Sequence, residues 1–381
     1  MDGNTRLWLW LNYATNRNPR LFYEILSRYG DVEEAYDATV KGDLSLLSDV
    51  RDTVLARMKS AADAKFLDRY CGWLEKNNVS VVTAESDVYP ALLNEIYDPP
   101  SLLFVKGKLP ECLPLPIAMV GSRNCTTYGR EVAELLGRQL CERGATIVTG
   151  LAAGIDTAAA KGALAAATGP ECAVIGVIGC GIDQVYPTEN RALYEAVAQH
   201  GAVVTEFLPK TAPQPYNFPI RNRIVSGIAR GLVVVEAAER SGTSITADCA
   251  REQGREIFAV PGRITDPMSS GTNRMLARGE AKPVTSAADI LSEFTDDAGD
   301  DPLNGAAKQV TFTSLGEVGQ QIYMALRQGE KNVDELLDWI DCPAQELNAA
   351  LTKLQFSEVV TQLPGRVYAL DTIHTIVTFD Q

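Results

Sequence analysis

Six short apolar runs between residues 117 and 262 each stop at a glycine or a polar turn, and helix-like stretches follow most of them. No other feature of the chain constrains its fold as much. In the first run Ile117, Ala118, Met119 and Val120 read as a buried strand, which Gly121, Ser122 and Arg123 interrupt before a helix starting near Tyr128. A glycine lets backbone amides approach a ligand closely, and the free amides and dipole of a helix N-terminus attract anions. Ser122 adds a hydroxyl there and Arg123 a forked cation. Similar units occupy residues 147–154, 174–181, 203–206, 232–236 and 257–262. One such loop says little. An ordered series predicts an α/β core, a Rossmann-like, doubly wound and mostly parallel sheet. Ligands of such sheets bind outside the carboxyl ends of the strands, where this chain places its glycines and polar side chains.

Those strand ends supply the candidate binding residues. Gly150 and Gly154 bracket one turn, and Gly179 and Gly181 lie in the next. Residues 217–223 set Phe218 beside Arg221, Asn222 and Arg223, on what reads as a loop running into a helix. Guanidinium groups pair with phosphates and an aromatic face stacks on any base, so this stretch suits a single strand of nucleic acid. It suits a core plug equally well, with Phe218 buried and the arginines paired to Glu206 and Glu236; composition leaves both readings open. Ser241 and Thr243 offer hydroxyls and amides at a further helix start, fit for phosphate or for an ordinary cap.

Histidine and cysteine usage narrows the chemistry. His200 and His374 are the only histidines, too few for a histidine-based metal site or a Ser-His-Asp triad, and His200 reads as a helix end before Gly201. Eight cysteines are scattered with no CxxC pair, which predicts a reduced cytoplasmic protein. Neither a bound metal nor a cofactor is expected. There is no run of about 18 apolar residues and no charged-then-apolar start, so neither a membrane span nor a signal peptide is expected. The formal net charge of −14 argues against a nucleic-acid partner until it is divided along the chain. Residues 117–291 carry 17 Lys and Arg against 17 Asp and Glu, whereas residues 292–381 carry 5 against 15. A balanced central region can still focus its arginines into a positive groove.

Four segments follow from pattern. Residues 1–78 show helical periodicity broken at Asn18-Pro19 and Gly30-Asp31, a small all-α domain of the SAM or helix-hairpin-helix kind. Its near-balanced charge favours packing or partner docking over DNA contact. Residues 79–294 form the Rossmann-like core. Residues 295–310, rich in Asp, Gly and Ala, read as an acidic linker. In residues 311–381 helices over 316–327, 333–339 and 344–354 precede short strands at 359–360 and 367–370 around Pro364-Gly365, which suggests a winged-helix domain. The acidity of this end favours a protein partner over duplex DNA.

The ordered motifs Asp87-Val88-Tyr89-Pro90, Val120-Gly121-Ser122-Arg123, Gly150 to Asp156, Tyr186-Pro187-Thr188-Glu189-Asn190, Phe218-Pro219-Ile220-Arg221-Asn222-Arg223, Glu236 to Gly242 and Ala259-Val260-Pro261-Gly262 make the chain similar to the DprA/Smf family. The resemblance covers about residues 87–290; the helical start and the winged-helix end are similar to the family's three-part layout by pattern only. It implies sequence-independent binding of single-stranded DNA, protection of that DNA and loading of RecA recombinase in natural transformation (competence) and recombination. It also implies a homodimer and no catalysis. By motif position Ser122 and Arg123 would line the DNA pocket, Arg221 and Arg223 would contact phosphates, Phe218 would meet a base, and Gly150, Gly154, Gly179 and Gly181 would let the backbone come close. RecA-contact residues cannot be placed this way. Two departures lower the expected positive charge: relatives carry a histidine where this chain has Ala160, and often a basic residue where it has Thr188.

The alternative is an enzyme on a nucleotide derivative, of the lysine-decarboxylase-like phosphoribohydrolase type. This chain lacks the Pro-Gly-Gly-x-Gly-Thr stretch of those enzymes, and only Glu206 and Glu236 stand at strand ends as possible bases. A dinucleotide-dependent oxidoreductase fits less well, because the first loop is not GxGxxG.

Overall fold

Short polar residues set the helix starts of the N-terminal region. In the computed structural model α1 (Gly3–Ala14), α2 (Pro19–Tyr29), α3 (Val32–Lys41) and α5 (Ala64–Lys76) each begin behind an Asp or Asn whose side chain accepts a first-turn amide; α4 (Asp52–Ala61) lacks such a cap. Gly30 and Gly42 end two of them at positive φ. The five helices enclose Trp8, Trp10, Phe22, Ile25 and Met58, and the Trp10 indole donates to the Met58 carbonyl at 3.0 Å. The described residues are 2–167, 172–239, 241–294, 308–340, 342–357, 359–363, 367–370 and 375–378.

The core follows as β1 (Ser80–Thr83), α6 (Ala91–Asn94), β2 (Leu102–Gly107), β3 (Pro116–Val120), α7 (Thr127–Glu142), β4 (Thr146–Thr149), α8 (Ile155–Ala166), β5 (Val174–Val177), α9 (Arg191–Gln199), β6 (Gly201–Thr205), α10 (Asn217–Ile228), β7 (Gly231–Val234), α11 (Gly242–Glu252), β8 (Glu256–Ala259), α12 (Ser270–Ala277), β9 (Lys282–Pro283) and α13 (Ala287–Leu291). The nine strands lie in the order β1-β2-β6-β5-β4-β3-β7-β8-β9. β3 to β9 run parallel, and β2 and β1 add an antiparallel edge. Strands are buried on both faces, hence their near-continuous apolar runs. One face, with Val120, Val148, Val204 and Val234, is covered by Ile224 and Val225 of α10, Ala247 of α11 and Leu93 of α6. The chain winds outward from β3 in one direction, returns through α10 and winds outward from β7 in the other. The switch point therefore lies between β3 and β7.

Met1–Phe294 form one compact unit, so the boundary read at 78/79 marks a change from helices to sheet inside a single packed body. Asn12 of α1 donates to Ser101 Oγ at 3.0 Å across that boundary. Thr295–Gln381 form the second unit. There α14 (Glu317–Leu326), α15 (Val333–Trp339) and α16 (Ala344–Phe356) bury Ile322, Leu336, Leu347 and Leu351 beside a small antiparallel sheet of Lys331–Asn332, Val367–Leu370 and Val360–Leu363. Lys308–Thr311 pairs in parallel with Thr375–Thr378. The linker assigned to 295–310 thus runs three residues into a strand, because its partner lies far along the chain and leaves no local signal. Residues 295–307, Pro364, Gly365 and His374 lie outside the described residues.

Helices α7 and α8 meet backbone to backbone through glycines. A Cβ at Gly162 would fall 1.9 Å from the Glu134 carbonyl oxygen, and one at Gly137 would fall 2.4 Å from that of Ala159. Gly162→Ala is therefore expected to lose about 1–3 kcal/mol through overpacking despite its better helix propensity. A lowered urea midpoint with an unchanged m value would show it.

Candidate nucleic-acid interface

Beyond the carboxyl ends of β3, β4 and β7 lies a crevice of about 500 Å³. Ser122, Arg123, Gly150, Phe218, Arg221, Asn222, Ser241 and Thr243 all line it. Gly154, Gly179, Gly181 and Arg223 do not. A Cβ on Gly154 would fall 2.3 Å from the Ser122 carbonyl oxygen, so this glycine packs the 150–154 turn under the 121–124 turn. Gly179 sits against the Phe218 ring, and Gly181 against Asp183 and residues 208–210. Ala160 is fully buried in α8, and neither it nor Thr188 lines the crevice.

Two expectations about anions are corrected. The start of α7, read as a seat for an external anion, already holds one. Glu236, 1 % exposed, accepts the Thr126 amide at 2.9 Å and the Thr126 hydroxyl, and Gly129 makes room for its carboxylate. The turn after β4 is filled likewise, because Asp156 accepts the amides of Gly150 at 3.0 Å and Ala152 at 3.4 Å. By contrast α11 has no side-chain cap and no acid in its first turn. The Ser241 hydroxyl there is buried with no hydrogen-bond partner among the described residues. Orphan amides, an unanswered dipole and a free hydroxyl together suit this helix start to an anion.

The arginines divide by helix phase. Residues 217–223 begin α10 and do not form the loop expected, and residues two apart on a helix point to different sides. Arg221 turns inward, 4 % exposed, and donates to the Gly150 carbonyl at 2.7 Å, to the Val177 carbonyl and through Nε to Asn222 Oδ1 at 3.1 Å. Burial works against both nearby charges, raising the Asp156 carboxyl and lowering the Arg221 guanidinium, and each opposes that shift in the other. Arg221 therefore ties the ends of β4 and β5 together from the crevice wall. Arg223 points elsewhere, into ion pairs with Glu206 at 2.8 Å and Asp98 at 3.1 Å. The phosphate role read for Arg223 does not fit this position. Burial raises the Glu206 carboxyl, and Arg223 acts against that rise.

Arg123 remains exposed, with no ion-pair partner among the described residues. Its guanidinium lies 5.1 Å from the Phe218 ring centroid, and Phe218 in turn lies 5.4 Å from Tyr186 at an interplanar angle of 36°. Tyr186 and, in the stretch that follows Ser241, Ile245 and Thr246 also line the crevice, with no individual binding role assigned to them from sequence. An aromatic residue before Pro187 was the available signal for Tyr186. Asn190 of the same motif donates to the Leu151 carbonyl at 3.0 Å and to Thr157 Oγ1 at 2.8 Å, bracing the 150–154 turn.

An exposed arginine, an aromatic pair and an acid-free helix start at the switch point of a doubly wound sheet define a Rossmann-like anion-binding protein. A family model described as DNA recombination-mediator protein A matches residues 80–295, and the chain belongs to the DprA/Smf family. DNA processing protein DprA of Bacillus subtilis is 39% identical over 260 residues, covering 66% of this chain and 86% of that protein. DprA of Streptococcus pneumoniae is 45% identical over 209 residues, covering 55% and 72%. An X-ray structure of a Streptococcus pneumoniae DprA superposes with a TM-score of 0.65 at 34% identity, over 78% of this chain and 100% of the other. A Helicobacter pylori DprA structure that reveals a single-stranded DNA binding mode superposes with a TM-score of 0.50 at 27% identity, over 57% and 95%.

Exposure separates the arginines in stability. Arg223→Ala strands a buried carboxylate and is expected to cost about 3–5 kcal/mol of unfolding free energy. Arg123→Ala should stay within about 0.5 kcal/mol of wild type. Urea unfolding of the two variants side by side tests the assignment.

Proposed function

We propose that the crevice binds single-stranded DNA without regard to sequence. A phosphate sits at the start of α11, held by the amides that follow Ser241 and by the Ser241 and Thr243 hydroxyls. Arg123 meets a second phosphate or the same one from the opposite wall, and a base stacks on the Phe218–Tyr186 pair. The observation that carries this reading is Arg123 over Phe218 beside a crevice where the start of α11 has neither a side-chain cap nor an acid. The DNA binding mode described for the Helicobacter pylori relative supports it.

The finer reading extends from there. The protein protects single strands and loads RecA during transformation and recombination, as its match to a recombination-mediator family supports. It acts as a cytoplasmic homodimer, binds without catalysis and uses residues 311–381 as a winged-helix module for a protein partner. Neither Glu206, paired with Arg223, nor Glu236, bonded to Thr126, lines the crevice, which supports binding without catalysis. Among the described residues no helix is long and apolar enough to cross a membrane.

Fluorescence anisotropy of labelled oligo-dT, titrated with salt and competed with duplex DNA, tests the reading. Phe218→Ala is expected to lose about 1–3 kcal/mol of binding, the worth of one stacked base. Arg123→Ala should weaken binding and flatten the log–log salt slope by about 0.7, one phosphate on a single strand. Wild type that binds no oligonucleotide at low salt, or both variants binding like wild type, would overturn it.

A further inference from the structure

The turn between α1 and α2 carries an unusual backbone. Asn16 and Arg17 both have positive φ, 52° and 54°, a left-handed conformation that L side chains adopt only at a cost. Hydrogen bonds hold the turn in place: the Arg17 amide donates to the Asn12 carbonyl at 2.8 Å, and the Asn18 amide to the Thr15 carbonyl at 3.2 Å. Strain kept in this way invites a search for what the side chain does.

Arg17 reaches out of the helical region onto the core. Its guanidinium carbon lies 4.2 Å from the ring centroid of the fully buried Phe207. Its Nη1 lies 3.9 Å from Glu206 Oε1, a buried oxygen with no hydrogen-bond partner among the described residues. The other Glu206 oxygen accepts from Arg223 Nη2 of α10 at 2.8 Å. Residues 206–216 join β6 to α10, and Pro213 and Pro215 of that segment line the crevice. The segment is therefore clamped at both ends in one place. Glu206 and Phe207 hold its start, Arg223 holds the helix that follows, and Arg17 closes the clamp from outside.

We infer that Arg17 is a positioning residue for the crevice: it fixes the 206–216 segment and, through Glu206 and Arg223, the helix that presents Phe218 and Arg221. The inference rests on the reading of the crevice as a single-strand site. It gives the N-terminal helices a part in DNA binding without any contact to DNA. Arg17 faces Glu206 and Phe207 and does not line the crevice, so its influence passes through α10.

Arg17→Gly separates this role from a merely structural one. Glycine adopts positive φ freely, so the variant relieves backbone strain while removing the clamp. The urea midpoint is expected to hold, while oligo-dT affinity falls roughly five- to tenfold, as loosening of the segment and α10 lowers the population of the binding-competent crevice. The salt slope should stay at the wild-type value, unlike that of Arg123→Ala. Phe207→Leu, which keeps the apolar plug but removes the ring face, should weaken binding in the same way, and Arg17→Lys should restore part of it. In a Phe218→Ala background the Arg17→Gly effect should shrink toward nothing, because both changes act on one contact. Arg17→Gly binding like wild type would overturn the inference while leaving the crevice reading intact, and so would a salt slope flattened by one phosphate. Wild type that binds no oligo-dT would remove both.

Discussion

One buried carboxylate governs the geometry of the switch point. Glu236 leaves the end of β7, crosses to the first turn of α7 and takes the Thr126 amide and hydroxyl, while its own carbonyl accepts the Ser122 amide at 2.8 Å. Burying a carboxylate is costly unless donors replace its water, and here two hydrogen bonds and the helix dipole do so. The contact ties the two oppositely wound halves of the sheet together just beyond the end of the β3–β7 pairing. It also anchors the turn that carries Arg123, which lies over Phe218.

Glu236 and Asp156 have a common consequence. Each fills an amide cluster that a doubly wound sheet would otherwise offer to a ligand, which leaves the acid-free start of α11 as the place where an anion gains most. In the proposed binding mode, selectivity for where a phosphate goes would thus come partly from occupying the competing sites from within. The same acids explain how a chain with net charge −14 can present an attractive crevice. Asp156, the acid on the crevice wall, is held by backbone amides, and Glu206 is paired with Arg223.

Much of this was legible in the sequence, because strand, glycine turn and helix are local patterns with fixed periods. The sheet, its ligand-bearing end, and the crevice positions of Ser122, Arg123, Gly150, Phe218, Ser241 and Thr243 follow from such patterns. What failed was phase. On an extended loop Arg221 and Arg223 share a side; on a helix they diverge, and deciding between the two meant placing the start of α10 within a few residues, past Pro215 and Pro219. Glu236 was read as a possible base or an arginine partner because its true partner, Thr126, is 110 residues away. The strand pair of Lys308–Thr311 and Thr375–Thr378 was missed for a similar reason.

Four arginines show how little residue type alone decides. Arg221 is buried on backbone carbonyls, Arg223 is paired to acids, Arg17 bridges the helical region to the sheet, and Arg123 alone stands exposed over an aromatic ring. A guanidinium already holding carbonyls or carboxylates has few donors left for a phosphate, and breaking those bonds would leave buried acceptors unsatisfied. The long-range attraction of such buried arginines still reaches the crevice, but their hydrogen bonds do not. On the proposed reading, the part of DNA affinity that responds to salt therefore falls chiefly to the exposed arginine. The rest would come from helix amides and an aromatic face, whose grip on a strand would depend on how firmly α10 and the 206–216 segment are held.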